Sequence, residues 1–236
     1  MKTRNEIVWI TGGASGIGFA CAKAFVNEGC RVAISGRDER KLEIALKELW
    51  SNTITIKCDV TSEEDVTNAI AHITASFGAA PDILINNAGI SPYQNIEDTT
   101  TEIFDKVIDT NIIGNFLCAK AVIPAMIAKG RGAIVQILSI ASTKAFAGGT
   151  AYGSSKFGAL GMTNAMREDV RDKGIKVISV MPGATETEAW DSDEREKYHK
   201  RMMQPEDIAQ AIIAALQQPQ RTLVEEIVLR PIGGDL

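Results

Sequence analysis

A short apolar strand, a glycine-rich loop and an amphipathic helix follow one another at the start of this chain. Ile7 to Ile10 form a continuous apolar run, which is typical of a strand buried on both faces of a parallel sheet. The run leads directly into Thr11-Gly-Gly-Ala-Ser-Gly-Ile-Gly18, and a helical pattern then continues to the termination signal Glu28-Gly29. A strand that passes through a tight loop into a helix is the opening unit of a parallel α/β sheet.

The glycine cluster is suited to hold an anionic ligand at the start of that helix. Backbone N–H groups at a helix N-terminus bind pyrophosphate, and glycine allows the backbone to approach the ligand closely. Tight turns that bind nothing also use glycine, so the cluster alone leaves that alternative open. The residues predicted to contact a pyrophosphate are Gly12, Ala14, Ser15, Gly16, Ile17 and Gly18.

The spacing of these glycines differs from the common G-x-G-x-x-G pattern of dinucleotide-binding loops. It reads TGxxxGxG, and in this it resembles the short-chain dehydrogenase/reductase family. The resemblance extends over essentially the whole chain through Asn86-Asn-Ala-Gly89, Ser139, Tyr152-Gly-Ser-Ser-Lys156 and Pro182-Gly183. It implies one Rossmann-type domain over residues 1–236, with a doubly wound parallel sheet of about seven strands in the order 3-2-1-4-5-6-7 and helices on both faces.

Strand and helix patterns alternate to the end of the chain. Further strands are predicted at 31–35, 53–57, 83–85, 133–138, 176–180 and 226–229. Helices are predicted at 38–50, at about 62–77, as one long helix at about 100–129, from Tyr152 and from Pro205. The charged segment 187–204 is either a solvated helix or a mobile lid over a substrate. No linker or repeat divides the chain, and the alternation favours a single parallel α/β sheet with right-handed crossovers.

Composition limits the class of protein. Of 236 residues, 45% are hydrophobic and 23% are charged, which is ordinary for a soluble globular domain. A net charge of −5 argues against nucleic acid or an anionic membrane as the partner. The four cysteines lack the spacing of a metal site, and no apolar run approaches the roughly 18 residues of a membrane span. We therefore expect a cytoplasmic protein without a metal.

Tyr152 and Lys156 are four residues apart, which places them on the same face of a helix. A nearby ammonium favours the phenolate, by under one pKa unit in water and by roughly three units where water is largely excluded. By itself the pair also fits two ordinary residues of an amphipathic helix. The family resemblance implies that Tyr152 is a general acid/base, that Lys156 lowers its pKa and bonds the nicotinamide ribose, and that Ser139 binds the substrate oxygen. It also implies that Asn111 kinks its helix and holds a water that joins Lys156 to solvent.

The end of the second predicted strand bears on the choice of dinucleotide. An NAD site needs a carboxylate there, whereas an arginine accommodates the 2′-phosphate of NADP. Gly36 and Arg37 stand at this point, which favours NADP, although Arg37 could also simply begin a solvated helix.

The family resemblance assigns further residues to the cofactor. Asp59 and Val60 would hold the adenine, and Asn87 would bond near the adenosine ribose, beside the small residues Ala88 and Gly89. The residues that would turn under the nicotinamide are Pro182, Gly183, Thr185 and Thr187.

These resemblances imply hydride transfer between NADP and a carbonyl or secondary alcohol of a small molecule. The stretch Val224-Glu-Glu-Ile-Val-Leu-Arg-Pro231 resembles 3-hydroxy acid dehydrogenases and related carbonyl reductases. One alternative is a 3-oxoacyl-acyl carrier protein reductase, with the carrier docked on Lys129, Arg131, Arg171 and Lys173. A second alternative is a non-catalytic NADP-binding sensor. The resemblance also implies a homotetramer or homodimer.

Overall fold

A computed structural model describes residues 5–49 and 52–236, and within them seven strands form one parallel sheet. The strands are β1 (Ile7–Thr11), β2 (Arg31–Gly36), β3 (Thr53–Lys57), β4 (Ile83–Asn86), β5 (Gly132–Ile137), β6 (Ile175–Pro182) and β7 (Glu226–Leu229). Their order is β3-β2-β1-β4-β5-β6-β7, which confirms the predicted doubly wound topology. Each predicted strand is found, although β6 extends two residues beyond its predicted end.

The α-helices of the described residues are α1 (Gly16–Asn27), α2 (Glu39–Leu49), α3 (Glu63–Phe77), α4 (Thr101–Ile108), α5 (Gly114–Lys129), α6 (Thr150–Val170), α7 (Ser192–Tyr198) and α8 (Pro205–Leu216). Their ends follow local chemistry. Ser62 Oγ accepts from the N–H of Asp65 at 3.1 Å and so caps the start of α3, and Gly78 ends that helix with a φ of 80°. The predicted end of α2 at Trp50 lies outside the described residues.

Two apolar layers cover the two faces of the sheet. Phe25, Ile34 and Ile208 belong to the layer beneath α1, α2 and α8. Trp9, Ile73 and Met126 belong to the opposite layer beneath α3 and α5. Burial of each such side chain contributes about 1.5–3 kcal/mol. Helices therefore cover both faces of the sheet, and a ligand can approach it at the ends of its strands.

The predicted long helix over about 100–129 is confirmed as an unbroken helical run, Thr101–Lys129, and a π-helical turn, Asp109–Ile113, divides it into α4 and α5. The apolar spacing continues through this turn without a change, whereas the family resemblance implied a kink at Asn111. Asn111 lies at its centre, and its side chain makes hydrogen bonds to the loop after β4 and to α6. A residue inserted into the helical ladder re-aims the side chain inward, and such π-turns are frequent at functional sites.

The expectation about apolar length also needs correction. The stretch Thr101–Lys129 is long and apolar enough to cross a membrane by length and composition alone, with a mean hydropathy of 1.5. Val107, Cys118, Val122 and Met126 are fully buried within the protein. These contacts are those of a core helix that packs against the sheet.

Candidate active site

The carboxyl ends of β1, β4, β5 and β6 meet at one cavity of about 810 Å³. Each strand delivers a predicted motif to its wall: the glycine loop, the segment after Asn86, Ser139, and Pro182-Gly183. Parallel α/β sheets bind ligands at this edge, and pockets of about 300–1,000 Å³ hold small molecules and cofactors. The predicted site residues that line it are Gly12, Ser15, Gly16, Ile17, Asn87, Ala88, Gly89, Ser139, Tyr152, Lys156, Pro182, Gly183, Thr185 and Thr187.

The glycine loop adopts a shape that side chains would prevent. Gly12 and Gly16 have φ angles of 61° and 51°, in the left-handed region that glycine tolerates best. A Cβ atom on Gly18 would lie 2.4 Å from the carbonyl oxygen of Gly12, so α1 can approach the loop only without a side chain there. The Ser15 side chain does not cap α1. The first N–H groups of α1 therefore have no side-chain acceptor at the cap, and Ser15, Gly16 and Ile17 line the cavity, where these groups could bind a phosphate.

Asn87 holds this loop in place. Its Nδ2 donates to the carbonyls of Thr11 and Gly12, both at 3.0 Å. Thr11 Oγ1 in turn accepts from the backbone N–H groups of Asn87 and Ala88, also at 3.0 Å. Both amide protons of Asn87 are therefore engaged by the protein, and the side chain retains only its oxygen for a ligand. Sequence reasoning placed Asn87 near the ribose and missed this loop-positioning role.

Ser139, Tyr152 and Lys156 come together at the inner end of the cavity. Ser139 follows β5, and its Oγ accepts from the N–H of Ala141 at 3.1 Å. Tyr152 and Lys156 lie in the first turns of α6. Lys156 Nζ donates to the carbonyl of Ile137 at 3.0 Å and lies 5.7 Å from the centroid of the Tyr152 ring. The hydroxyl of Ser139 forms a hydrogen bond with the phenol of Tyr152.

Burial controls the protonation of both groups. It raises the pKa of Tyr152 to about 12, although the hydrogen bond from Ser139 acts in the opposite direction. It lowers the pKa of Lys156 to about 8. The net pKa of Tyr152 in this structure is therefore raised and not lowered, because the phenolate loses more by desolvation than it gains from Ser139. At neutral pH Tyr152 is a neutral phenol, which is the proton-donating form.

Asn111 lies behind this trio and outside the cavity wall. Its Oδ1 accepts from the N–H of Ile90, and its Nδ2 donates to the carbonyl of Ile90 and to Ser155 Oγ, all at 2.9 Å. The π-turn thus clamps the loop after β4 to α6. The side chain has no proton left to offer, so only Oδ1 and the backbone carbonyl of Asn111 could accept a hydrogen bond from a water. That carbonyl already accepts one bond, from Asn115 Nδ2 at 2.7 Å.

Five other predicted cofactor residues lie away from the cavity wall: Ala14, Gly18, Arg37, Asp59 and Val60. Arg37 is exposed at the end of β2, and its charge contributes to lowering the pKa of Asp59. Asp59 Oδ1 accepts from the N–H and the hydroxyl of Thr61 at 3.0 and 2.8 Å. Arg37 follows β2, and Asp59 and Val60 follow β3. These three residues therefore lie at the carboxyl ends of the strands beyond the glycine loop.

The segment after β6 crosses over the glycine loop. A Cβ atom on Gly16 would lie 3.1 Å from Thr187 Cγ2, and Glu188 pairs with Lys41 of α2 at 2.7 Å. A backbone bridge between Thr185 and Met203 closes the base of this segment. The exposed helix α7 lies within it, as the solvated-helix alternative predicted, and several of the residues from Thr187 to Glu194 line the cavity. Whether the segment acts as a lid stays a prediction.

Several wall residues were not among the predicted site residues, although Trp190 lies in the segment 187–204 that was predicted as a possible lid. Tyr93 places its ring 5.6 Å from that of Tyr152 and is 54% exposed. Phe146, Trp190 and Asp235 also line the cavity, from three separate loops. The one available signal for these wall residues was that they lie in loops that follow strands of the predicted sheet. Among the described residues, no group of three His, Cys, Asp or Glu side chains is arranged to hold a metal ion.

A model of the short chain dehydrogenase family matches residues 6–198. The chain belongs to this family. The match includes the glycine loop, Ser139, Tyr152 and Lys156, and it ends at the last residue of α7. The family assignment agrees with the resemblance found in the sequence, and it makes the protein a dehydrogenase or reductase.

Three proteins show how close the relationship is. The sepiapterin reductase of Chlorobaculum tepidum is 36% identical over 241 residues, which cover 98% of each chain. A serine dehydrogenase in its closed form, complexed with NADP⁺, superposes with a TM-score of 0.91 at 26% identity, over 98% of this chain and 96% of that one. A metagenomic short-chain oxidoreductase in complex with NADP gives a TM-score of 0.85 at 27% identity, over 98% and 99% of the two chains.

Proposed function

We propose that this protein reduces a carbonyl compound, or oxidises the corresponding secondary alcohol, with NADP as the hydride carrier. The observation that carries the proposal is the meeting of Ser139, Tyr152 and Lys156 on the wall of the cavity that also contains the glycine loop. The NADP complexes of the two similar structures support the choice of cofactor. A non-catalytic sensor would not need all three of these side chains in one place.

The residues present fit NADP. The N–H groups at the start of α1 would hold the pyrophosphate. A Cβ atom added to Gly36 would meet only Leu42 Cδ2, at 4.0 Å, which leaves room for a 2′-phosphate beside Arg37. Asp59 and Val60 would hold the adenine at the outer edge. Pro182, Gly183, Thr185 and Thr187 would lie along the nicotinamide.

The protein's own groups then polarise the substrate and move the proton. NADP, when bound, supplies or accepts the hydride. Ser139 and Tyr152 would donate hydrogen bonds to the substrate oxygen, where negative charge develops during reduction. Tyr152 would transfer its proton to that oxygen. Lys156 would bond the nicotinamide ribose, and with a pKa of about 8 it is mostly charged at neutral pH and stabilises the phenolate that forms. Asn111 would complete a path for the proton through its backbone carbonyl.

The charge and shape of the cavity favour a neutral, ring-bearing carbonyl compound. The acidic residues of the cavity wall are Glu188, Asp191, Glu194 and Asp235. Among the described residues that form the wall, Lys156 is the only lysine or arginine. Tyr93, Phe146 and Trp190 supply aromatic surface. The similarity to a sepiapterin reductase supports the same choice and makes sepiapterin the first compound to test. A small 3-oxo or 3-hydroxy acid is the second candidate, favoured by the resemblance of the last strand.

The structure gives less support to an acyl carrier protein as partner. Lys129, Arg131 and Lys173 precede β5 and β6, and the cavity lies at the opposite ends of these strands. A strand of six residues, such as β5, is about 20 Å long. The four cations of the predicted docking surface also have partners within the chain. Lys129 pairs with Asp82, Arg131 with Glu6, Arg171 with Glu168 and Glu225, and Lys173 with the carbonyl of Asp169.

A panel assay of NADPH oxidation tests the proposal. The panel contains sepiapterin, a neutral diketone, 3-oxobutanoate and an acetoacetyl thioester, each with the parent protein and the Tyr152→Phe variant. We expect turnover of the neutral compounds that depends on Tyr152. No turnover of any compound, together with normal NADPH binding, would favour the sensor; preferential turnover of the thioester would favour the carrier-dependent reductase.

A further inference from the structure

Asp235 lines the cavity and lies at the centre of a charged cluster whose cations are not part of the cavity wall. Its carboxylate accepts from Arg230 Nη1 at 2.6 and 2.8 Å and from Lys144 Nζ at 2.8 Å. Arg201 Nη2 donates to its backbone carbonyl at 3.3 Å. The Asp235 side chain is 17% exposed, whereas those of Arg230 and Lys144 are 41% and 54% exposed. The carboxylate is thus the enclosed member of the cluster.

The cluster joins three segments that surround the substrate end of the cavity. Lys144 lies on the loop between Ser139 and α6, and Arg230 follows β7. Arg201 is the last residue of the short 3₁₀ helix His199–Arg201, which follows α7. Phe146, which lines the cavity, lies under Lys144, whose Nζ is 5.1 Å from the ring centroid.

We propose that Asp235 determines substrate specificity by acting as a built-in counter-ion, which occupies Lys144 and Arg230 and so excludes oxo carboxylates from this end of the cavity. The inference rests on the proposed carbonyl reductase function. With Asp235 ionised, the three side chains carry a net charge of +1, and both cations are already bonded. An incoming carboxylate must therefore displace Asp235 or lie beside it. A neutral ketone meets no such barrier.

The Asp235→Asn variant tests this specificity directly. It keeps the size of the side chain and removes the carboxylate that occupies Lys144 and Arg230. The substrates are straight-chain oxo acids of increasing length, each paired with its methyl ester. We expect the ratio of kcat/KM for acid over ester to rise about tenfold for the chain length that reaches the cluster, which corresponds to about 1.4 kcal/mol. An unchanged ratio at every length would overturn the proposal.

Two further variants separate the cluster from general charge effects. Adding Lys144→Gln to Asp235→Asn removes one released cation and should reverse much of the gain. Glu39→Gln breaks an exposed ion pair of 3.0 Å with Lys57, away from the cavity, and should leave the ratio as in the parent. Glu194→Gln removes a wall carboxylate without releasing these cations. A gain in Glu194→Gln equal to that in Asp235→Asn would overturn the counter-ion role.

A binding measurement keeps this inference distinct from the proposed function. Calorimetric titration of hexanoate, octanoate and their neutral amides into the NADP-loaded protein needs no turnover. We expect Asp235→Asn to bind one of the carboxylates about tenfold more tightly than the parent does, with no matching gain for its amide. Equal carboxylate affinities would overturn the counter-ion role even if ketones are reduced. If the carboxylate affinities are as expected but no compound is turned over, only the proposed function is overturned.

Discussion

Lys156 donates a hydrogen bond of 3.0 Å to the carbonyl of Ile137, the last residue of β5. This bond fixes the first turns of α6 against the strand that delivers Ser139 two residues later. Lys156 is only 7% exposed, and burial lowers its pKa from 10.5 to about 8. One buried ammonium therefore positions the catalytic helix and makes the stability of the protein depend on pH.

We expect a pH-dependent difference in stability between the parent and Lys156→Met. Between pH 8 and 10.5 the unfolded chain holds the Lys156 proton more tightly than the folded protein does, so a rise in pH favours folding. Relative to Lys156→Met, the free energy of unfolding of the parent should rise by about 1 kcal/mol from pH 7 to pH 9. Urea titrations of both proteins without nucleotide measure it.

The buried thiols change the free energy of unfolding with pH in the opposite direction, and they do so equally in the parent and in Lys156→Met. Burial raises the pKa of Cys21 to about 12, which lowers stability as the unfolded thiol ionises from about pH 9 upward. This contribution cancels when the two proteins are compared. A difference between them that does not change with pH would show that Lys156 does not titrate in this window.

The Tyr152→Phe substitution should remove most of the activity and leave cofactor binding intact. The variant keeps the ring and lacks the proton donor, so kcat should fall by about 10²–10⁴. Tyr93→Phe is the matched control, because it removes a hydroxyl from the neighbouring ring 5.6 Å away. Steady-state rates and NADPH titrations of both variants measure the two effects. Near-parent turnover by Tyr152→Phe, or equal losses in the two variants, would contradict the assignment.

The Asn111→Leu substitution should destabilise the fold through unsatisfied groups. It leaves the backbone N–H and carbonyl of Ile90 without a partner, and each buried group of this kind costs about 1–3 kcal/mol. Ser155→Ala removes only one of the three bonds of the Asn111 side chain and should cost less. Chemical denaturation of the two variants gives the comparison. If Asn111→Leu is as stable as the parent, the hydrogen bonds of the Asn111 side chain do not stabilise the fold.

Fold and site differed in how much of them could be predicted. The strands were predicted because the short apolar runs Ile7–Ile10 and Ile83–Ile85 are typical of buried parallel strands, and their order was implied by the family resemblance. The glycines of the loop and the spacing of Tyr152 and Lys156 are local features, and their positions were predicted correctly. The family resemblance implied a kink at Asn111, but the π-turn itself was not predicted, because it depends on hydrogen bonds to Ile90 and Ser155, which lie 21 and 44 residues away.

Burial and loop packing account for the remaining differences. The direction of the Tyr152 pKa depends on desolvation, which is a property of the folded cavity and not of the spacing to Lys156. Tyr93 and Asp235 reach the cavity from loops whose paths are set by tertiary contacts. Their residue types alone carry no signal for a site.

Exposed apolar side chains on α5 and α6 lead to a prediction about assembly. Phe116 and Phe157 are 47% and 46% exposed, and Ile113 at the end of the π-turn is 42% exposed. The π-turn before α5 is in contact with α6, since a Cβ atom on Gly158 would lie 2.8 Å from Ile112 Cδ1. We expect this surface to form a two-fold interface of a homotetramer or homodimer.

Replacing both phenylalanines should dissociate that assembly. Phe116→Glu combined with Phe157→Glu places charge on the surface and should lower the mass measured by sedimentation. Ile44→Glu is a suitable control, because Ile44 is 51% exposed on α2, away from α5 and α6. A parent protein that sediments as a single chain at micromolar concentration would contradict the expected assembly.

The preference for NADP over NAD should depend on Gly36 and Arg37. A charge-assisted bond from Arg37 to the 2′-phosphate is worth about 1.5–3 kcal/mol, or roughly 10- to 150-fold in affinity. Arg37 is exposed and near Asp59, so solvent and the carboxylate both weaken the bond, and we expect a value near tenfold. Gly36→Asp with Arg37→Ala should reverse the preference, because the new carboxylate repels the phosphate and accepts from a free 2′-hydroxyl.

The measurement is the ratio of Kd values for NADPH and NADH at one fixed ionic strength. Arg40→Ala is the matched control, because Arg40 is also exposed but lies within α2, beyond the end of the strand. It should leave the ratio unchanged, whereas the double variant should invert it. Equal affinities of the parent for the two nucleotides, or an unchanged ratio in the double variant, would mean that Arg37 only begins a solvated helix and that the 2′-phosphate is recognised elsewhere.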